Sequence, residues 1–171
     1  DAFVPEASLD LGSASSFGML TESGIIAGDG SKLRGDSGSS AYTFAASAAN
    51  HDGTSYLGDT YQAATSDFLA AYDDAASRSY PAASLGTTID SRTFTPGLYT
   101  SVVPEAVDVL AGMVLEFDGE GHPDAVFILH IGGALTLGAG VKMVLTNGAQ
   151  SKNVFWHVVS AVSTGLDTEF V

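Results

Sequence analysis

The chain has no cysteine. Its fold is held without disulfides, which a domain of 171 residues achieves when its core suffices, so this absence fixes no compartment. Basic residues are scarce: six Lys and Arg stand against 20 Asp and Glu, a net charge of −14. The resulting field repels nucleic acid and anionic lipid alike. No apolar run approaches the ~20 residues that cross a bilayer, so membrane insertion is not expected. Catalytic signatures are missing too: there is no Gly-x-Ser-x-Gly elbow, no His-Glu-x-x-His pair and no phosphate-binding glycine loop. Acidic residues are plentiful, but nothing places two of them across an apolar cleft. The expectation is a protein that is not an enzyme and that holds no cofactor and no metal.

What is present is apolar and finely divided. Hydrophobic residues make up 45% of the chain and charged residues 15%, a balance that folds rather than remaining disordered. The most telling stretch is Ala125–Val159, where short β-branched or aromatic runs alternate with Gly132-Gly133, Gly138–Gly140 and Asn147-Gly148 corners. Such a chain turns often and presents repeated flat faces, the habit of a β-solenoid. Candidate strands are Leu9–Leu11, Phe17–Ile26, Tyr42–Phe44, Arg92–Phe94, Gly97–Val102, Val107–Leu110, Met113–Phe117, Ala125–Ile131, Ala134–Leu137, Lys142–Leu145 and Val154–Val159, with Gly28–Ser40 and Asn50–Asp59 read as polar corners. Tyr61–Arg78 is the one helix: Ala64, Phe68, Ala71, Tyr72 and Ala75 fall on one face, Asp59 or Thr60 caps the start, and Pro81 prevents continuation. The expected organisation is an extended lead-in over residues 1–8 and one mainly β solenoid domain over 9–171, with the helix packed lengthwise on the strands.

Several pieces in order resemble one family. Leu9–Phe17 (Leu-Asp-Leu-Gly-Ser-Ala-Ser-Ser-Phe), Thr21–Ile25 followed by Gly35-Asp36-Ser37-Gly38-Ser39, the helical Leu69–Arg78, the Thr95–Tyr99 corner, Phe117–Gly119, Val126–Ile131 and Asn147–Val158 together resemble the microbial ice-binding proteins, which are built as a right-handed β-solenoid with a long helix alongside. The resemblance implies a secreted protein that adsorbs to an ice surface, and the start at Asp1 without Met fits a processed chain as well as a trimmed one. It also implies about two further coils beyond Phe170, so the C-terminal end reads as incomplete or as an open edge. An open edge invites another strand. The rival reading is therefore a structural subunit of an extracellular filament, assembled head-to-tail with the Asp1–Glu6 segment, chiefly Ala2, Phe3 and Val4, as donor strand. A glycan-binding module is a third reading, by fold analogy alone.

Ice recognition needs a flat, rigid, rather apolar face with regularly placed hydroxyls and methyls, and threonine on a strand carries both in one stiff rotamer. The candidates are Thr21, Ser23, Thr43, Thr93, Thr95, Thr100, Thr136, Thr146 and Thr164, with Thr93 and Thr95 flanking Phe94 on one side. Phe-Ile-Leu-His-Ile and Val-Phe-Trp-His-Val superpose at an offset of 27 residues, which stacks His130 on His157 in adjacent coils. A solvent-facing polar ladder is the favoured reading of that pair, weak metal binding or mutual repulsion on protonation the alternative. Trp156 reads as core. Asp118–Asp124 reads as a solvated acidic corner that lacks the full spacing of a calcium loop.

Overall fold

The computed structural model describes residues 10–170 except 34, 41, 45–49, 58 and 78–81, with backbone alone at 42–44, 50, 75–77 and 170. The strands are short because a corner interrupts each one, and three make a coil. The first coil is β1 (Phe17–Thr21), β2 (Gly24–Ala27) and β3 (Lys32–Leu33); the next is β4 (Asp36–Ser39), β5 (Tyr42–Phe44) and β6 (Asn50–His51), after which β7 (Ser55–Tyr56) leads to the helix α1 (Asp59–Ser77). Beyond the helix come β8 (Ala83–Ser84), β9 (Thr88–Ile89) and β10 (Arg92–Phe94), then β11 (Gly97–Thr100), β12 (Val107–Val109) and β13 (Val114–Asp118). Two further coils follow: β14 (Phe127–Ile131), β15 (Leu135–Leu137) and β16 (Lys142–Thr146), then β17 (Val154–Val158), β18 (Ala161–Thr164) and β19 (Glu169–Phe170).

The pairings are parallel and form three sheets: β7-β4-β1-β17-β14-β11-β8 (sheet A), β5-β2-β18-β15-β12-β9 (sheet B) and β10-β13-β16-β19-β3-β6 (sheet C). The stacking order is not the chain order. The first coil lies inside the stack, the helix carries the chain to the far end, and the later coils climb back until the last one docks on the first. At 1.5 Å per residue the 19-residue helix is about 28 Å long. Seven strands at ~4.8 Å spacing span about 29 Å, so one helix traverses sheet A.

Alternation sends one residue in two into the barrel-like interior. Leu115 pairs in register with Met143, Phe94 with Phe117 and Leu135 with Val162, so like meets like from coil to coil. Phe94, Phe117, Phe127 and Trp156 form the aromatic centre, with Phe94 and Phe117 stacked at 5.1 Å between ring centroids. Trp156, read as core from the sequence, is 1% exposed. Full burial of such side chains contributes roughly 1.5–3 kcal/mol each, and no disulfide is required.

One corner is built of glycine for a measurable reason. Gly28, Gly165 and Gly138 stack where sheet B turns toward sheet C, and each N–H donates to the neighbouring coil: to the carbonyl of Thr164 at 3.0 Å, of Leu137 at 2.7 Å and of Val109 at 2.8 Å. A Cβ on Gly165 would stand 2.4 Å from the Ala139 nitrogen, and one on Gly138 2.5 Å from the Ala111 nitrogen. Those are backbone atoms, which cannot swing aside.

The helix covers the outside of sheet A. Tyr61, Ala64, Phe68 and Ala71 pack on Phe17, Leu20, Leu98, Ile128 and Phe155. A 3-10 helix, Gly12–Ser16, sits beside it, fastened by Asp67, whose Oδ2 accepts from the Ser13 N–H at 2.8 Å and from its hydroxyl at 2.5 Å. These bonds, the hydroxyl first, hold the Asp67 carboxyl below its usual range. His130 and His157 are in register, as the 27-residue offset requires, but they do not face solvent. They lie under the helix: His157 stacks on Phe68 at 5.0 Å, His130 meets Tyr72 edge-on at 4.6 Å, and the two imidazoles are 5.0 Å apart. The solvent-facing ladder expected from the sequence is corrected by helix burial.

Other expectations shift as well. Phe17–Ile26 is two strands, because the Thr21 hydroxyl bonds both the N–H and the carbonyl of Gly24 and turns the chain there. Of the expected Leu9–Leu11 strand, Leu9 lies outside the described residues, and Asp10 and Leu11 are not in a strand but lead into the 3-10 helix Gly12–Ser16. Gly28–Ser40 contains β3 and β4, and Asn50–Asp59 contains β6 and β7. The coil of β17, β18 and β19 is not an open edge. β17 lies between β1 and β14, β18 between β2 and β15, and β19 between β3 and β16. The proposed donor residues Ala2, Phe3 and Val4 lie outside the described residues, as does Arg78.

Two outcomes test this architecture. Gly165→Ala should destabilise by about 1–3 kcal/mol, because a methyl is forced into the backbone of the next coil; chemical denaturation measures it. Acidification should weaken the fold through His157, whose ring nitrogens have no hydrogen-bond partner among the described residues. Burial first, and the neighbouring His130 second, push its pKa down to about 4. Burial likewise lowers His130, opposed by Asp73. The unfolded chain takes up a proton near pH 6.5 that the folded chain refuses, so stability is level above that pH. It should then fall by an order of 3 kcal/mol between about pH 6.5 and about pH 4 and level off below. Unfolding curves across this range should lose that slope in His157→Gln.

Candidate functional site

A solenoid of three sheets offers three outer faces, and their residues differ. The face of sheet A is under the helix and the 3-10 turn. The face of sheet C carries charge. Its outward columns run Thr93–Glu116–Val144 and Val114–Lys142–Glu169–Lys32, with Asp118 beside Thr146. Lys32 Nζ meets Glu169 Oε1 at 2.5 Å, a half-exposed pair worth little to stability but one that holds water strongly. Glu116 accepts from the hydroxyls of Thr93 at 3.1 Å and Thr146 at 2.9 Å, so these two threonines serve a carboxylate.

The face of sheet B is different. Its outward column places one residue per coil in the order Ile26, Ser163, Thr136, Asp108 and Thr88, with the Thr43 backbone in register next to Ile26. Ile26 is 51% exposed; Thr136, Asp108 and Thr88 are exposed, and Ser163 is half-buried. The pattern arises from simple alternation: Leu135-Thr136-Leu137 and Val107-Asp108-Val109 bury their outer members and present the middle one. To one side lie Gly24 and Ala161, in register, and to the other the close-stacked Gly28, Gly165 and Gly138. These small flanks border Ile26, Ser163 and Thr136; beyond Gly138 the second flank continues to the exposed Leu110 and Asp90. Asp108 is the one charged member of this column.

The sequence candidates divide among these places. Thr136 is on face B and exposed. Thr43 shares its column. Thr164 also belongs to sheet B, but in line with the inward Leu137, and its hydroxyl lies 3.1 Å from Ser31 Oγ. Thr93 and Thr146 are on face C, and Thr95 follows β10, where its hydroxyl and main chain engage the Tyr99 hydroxyl. Thr100 ends β11 on sheet A and donates to the Ser101 carbonyl at 3.1 Å. Thr21 is 1% exposed and makes a corner, with Ser23 exposed beside it. The candidates thus do not form one array. Ile26, Ser163, Asp108 and Thr88 were not among them. The offset of 27 that stacks His130 on His157 also stacks Thr136 on Ser163, and that signal was available.

Known proteins share this arrangement. A family model described as ice-binding-like matches residues 15–171. An ice-binding protein of Flavobacterium frigoris (strain PS1) is 33% identical over 181 residues, covering 95% of this chain and 63% of that protein. One of Nostoc sp. (strain HG1) is 34% identical over 166 residues, covering 94% and 59%. The chain thus spans 59% to 63% of the length of these curated relatives. In fold it is like the ice-binding protein of the Antarctic ascomycete Antarctomyces psychrotrophicus, with a TM-score of 0.58 at 22% identity over 96% of this chain and 98% of that one. Parallel coils, one lengthwise helix and a match over nearly all of the sequence agree: the chain belongs to the ice-binding-like family.

Proposed function

We propose that this protein binds ice, and that the outer face of sheet B is the surface that does so. The observation that carries the reading is the Ile26–Ser163–Thr136–Asp108–Thr88 column, one residue per coil, with Gly and Ala on both sides of Ile26, Ser163 and Thr136, and with the Thr43 backbone extending its register. Strand pairing sets its repeat at ~4.8 Å, and β-branched Thr and Ile hold methyl and hydroxyl groups in fixed rotamers. A rigid surface of this kind orders the water above it without reorganising, so little entropy is lost when that layer joins a crystal. Hydrated ions disrupt such a layer, which disfavours face C with Lys32, Glu116, Lys142 and Glu169. The proposed mechanism is adsorption that pins the crystal front. It uses no reacting group, so the reading is of a binding protein and not an enzyme. Ice forms in bulk water around cells, and a secreted location accords with this ligand.

Among the original candidates the reading keeps Thr136 and Thr43 as contacts and treats Thr21, Thr100 and Thr164 as structural. Thr93, Thr95 and Thr146 lie off the face, and Ser23 sits at its approach. Bulky substitutions separate the faces. Thr136→Tyr and Ser163→Tyr should each lower ice-recrystallisation inhibition and ice-affinity partitioning by roughly tenfold or more. Thr93→Tyr, on face C and off both the helix face and sheet B, should leave both within about twofold. Loss in Thr93→Tyr with activity retained in both sheet B variants would move the site to sheet C.

A further inference from the structure

The end of the stack opposite the β7 end is closed by an unusual residue. β8, β9 and β10 each pair on one side only, with β11, β12 and β13, so among the described residues their other edges are free. The core ends here as well. In β10, Arg92 is in register with Leu115 and Phe94 with Phe117, so Arg92 occupies a position that the next coil fills with a fully buried leucine. An arginine stands where the alternation calls for an apolar side chain.

Its guanidinium lies across the end of the core. The Cζ atom is 4.9 Å from the centre of the Phe94 ring and 5.4 Å from that of Tyr99. Nη1 donates to the Ser84 carbonyl at 3.4 Å, on the opposite sheet. That carbonyl is on the free edge: the Leu85 N–H points to β11, where it donates to Thr100, and adjacent strand residues point their backbone groups to opposite sides. Arg92 therefore spans the coil from sheet C to sheet A, covers two aromatic faces and reaches an edge carbonyl. It is half-buried and has no carboxylate partner among the described residues.

We infer that Arg92 guards this end of the solenoid against the stacking of a second copy of the chain. A further parallel coil laid on β8–β10 would continue three sheets and an apolar core, which is the favourable geometry the rest of the molecule already uses. It would also bury the guanidinium between two hydrophobic layers with no countercharge, and an unpaired buried cation is strongly unfavourable. In the single molecule the same group keeps one side in water while its Cζ stands over the Phe94 ring and near the Tyr99 ring, a placement that suits arginine. An inward-pointing charge on an edge strand is a known protection against edge-to-edge pairing. This role is independent of what face B binds.

The test is the oligomeric state of the full chain by light scattering across a concentration series. Arg92→Leu and Arg92→Met should remain folded and associate roughly 100-fold more tightly than the parent protein, while Arg92→Lys stays monomeric. Ser84→Pro removes an N–H that points to the free edge, so adding it to Arg92→Leu should restore the monomer. The inference is overturned if both apolar variants fold and remain as monomeric as the parent, or if their association survives Ser84→Pro. Failure of both to fold would overturn it too, since Arg92 would then hold the coil together rather than guard it. A parent protein already joined through this edge would do the same.

Discussion

The parallel pairing of the last coil with the first is the constraint on which the structure rests. β17, β18 and β19 dock on β1, β2 and β3, so residues more than a hundred positions apart complete one another's backbone hydrogen bonds on all three sheets. That joint dictates the rest. With the β1–β3 coil inside the stack and the β17–β19 coil docked beside it, the chain between them has to cross the stack once without pairing. A helix does this because its backbone groups are satisfied internally. It must match the height of the stack, and 19 residues do. It must also lie on a face, and its apolar stripe of Tyr61, Ala64, Phe68 and Ala71 takes sheet A. The topology thereby removes one of three faces from the solvent before any question of function arises.

The choice between the other two faces follows from charge. A net charge of −14 has to be placed somewhere on a 171-residue chain. Corners carry Asp29, Asp90 and Asp167, and face C carries Glu116, Asp118 and Glu169 with Lys32 and Lys142 among them. The outward column of sheet B carries Asp108 alone. An uneven allocation of this kind costs nothing in folding, since charges at exposed positions interact weakly through water. Its effect is on hydration: one side of the molecule holds water around ions, and the other holds it over methyls and hydroxyls.

The sequence showed the solenoid and the helix because their signals are local. Gly132-Gly133, Gly138–Gly140 and Asn147-Gly148 mark corners, and Ala64, Phe68 and Ala71 mark a helix face. It hid the two-residue strands β3, β6, β7, β8, β9 and β19, which are too short to display a period of two, and the four-residue β4 and β18, whose Ser and Gly or Ala and Thr residues carry little apolar contrast. It also hid the stacking order, since nothing in β17–β19 announces β1–β3 as the neighbour. Thr21 looked like a surface hydroxyl and is a corner bond, because a short polar side chain beside a Gly can satisfy backbone groups as well as face water. His130 and His157 were stacked correctly yet placed in solvent. The offset fixes which coils they occupy, whereas their burial depends on Phe68 and Tyr72, some sixty residues or more away in sequence.

Flatness and edge exposure are linked in this architecture. A face flat enough to meet a crystal requires coils of uniform spacing, and uniform coils end in strands ready to accept another. The last coil escapes this because it is enclosed by the first. The β8–β10 end has no such neighbour among the described residues, and its residues depart from the pattern there: Arg92 replaces the leucine of the column, and Ala83 and Ser84 form a strand of only two residues. A chain with six basic residues has few to spare. That one of them lies over the last aromatic pair of the core, and not on the acidic exterior where it would find carboxylates, is what a protein with a regular interior and a free surface requires. The regularity that favours adsorption to an extended lattice would, if it ran unbroken to the end, favour adsorption to itself.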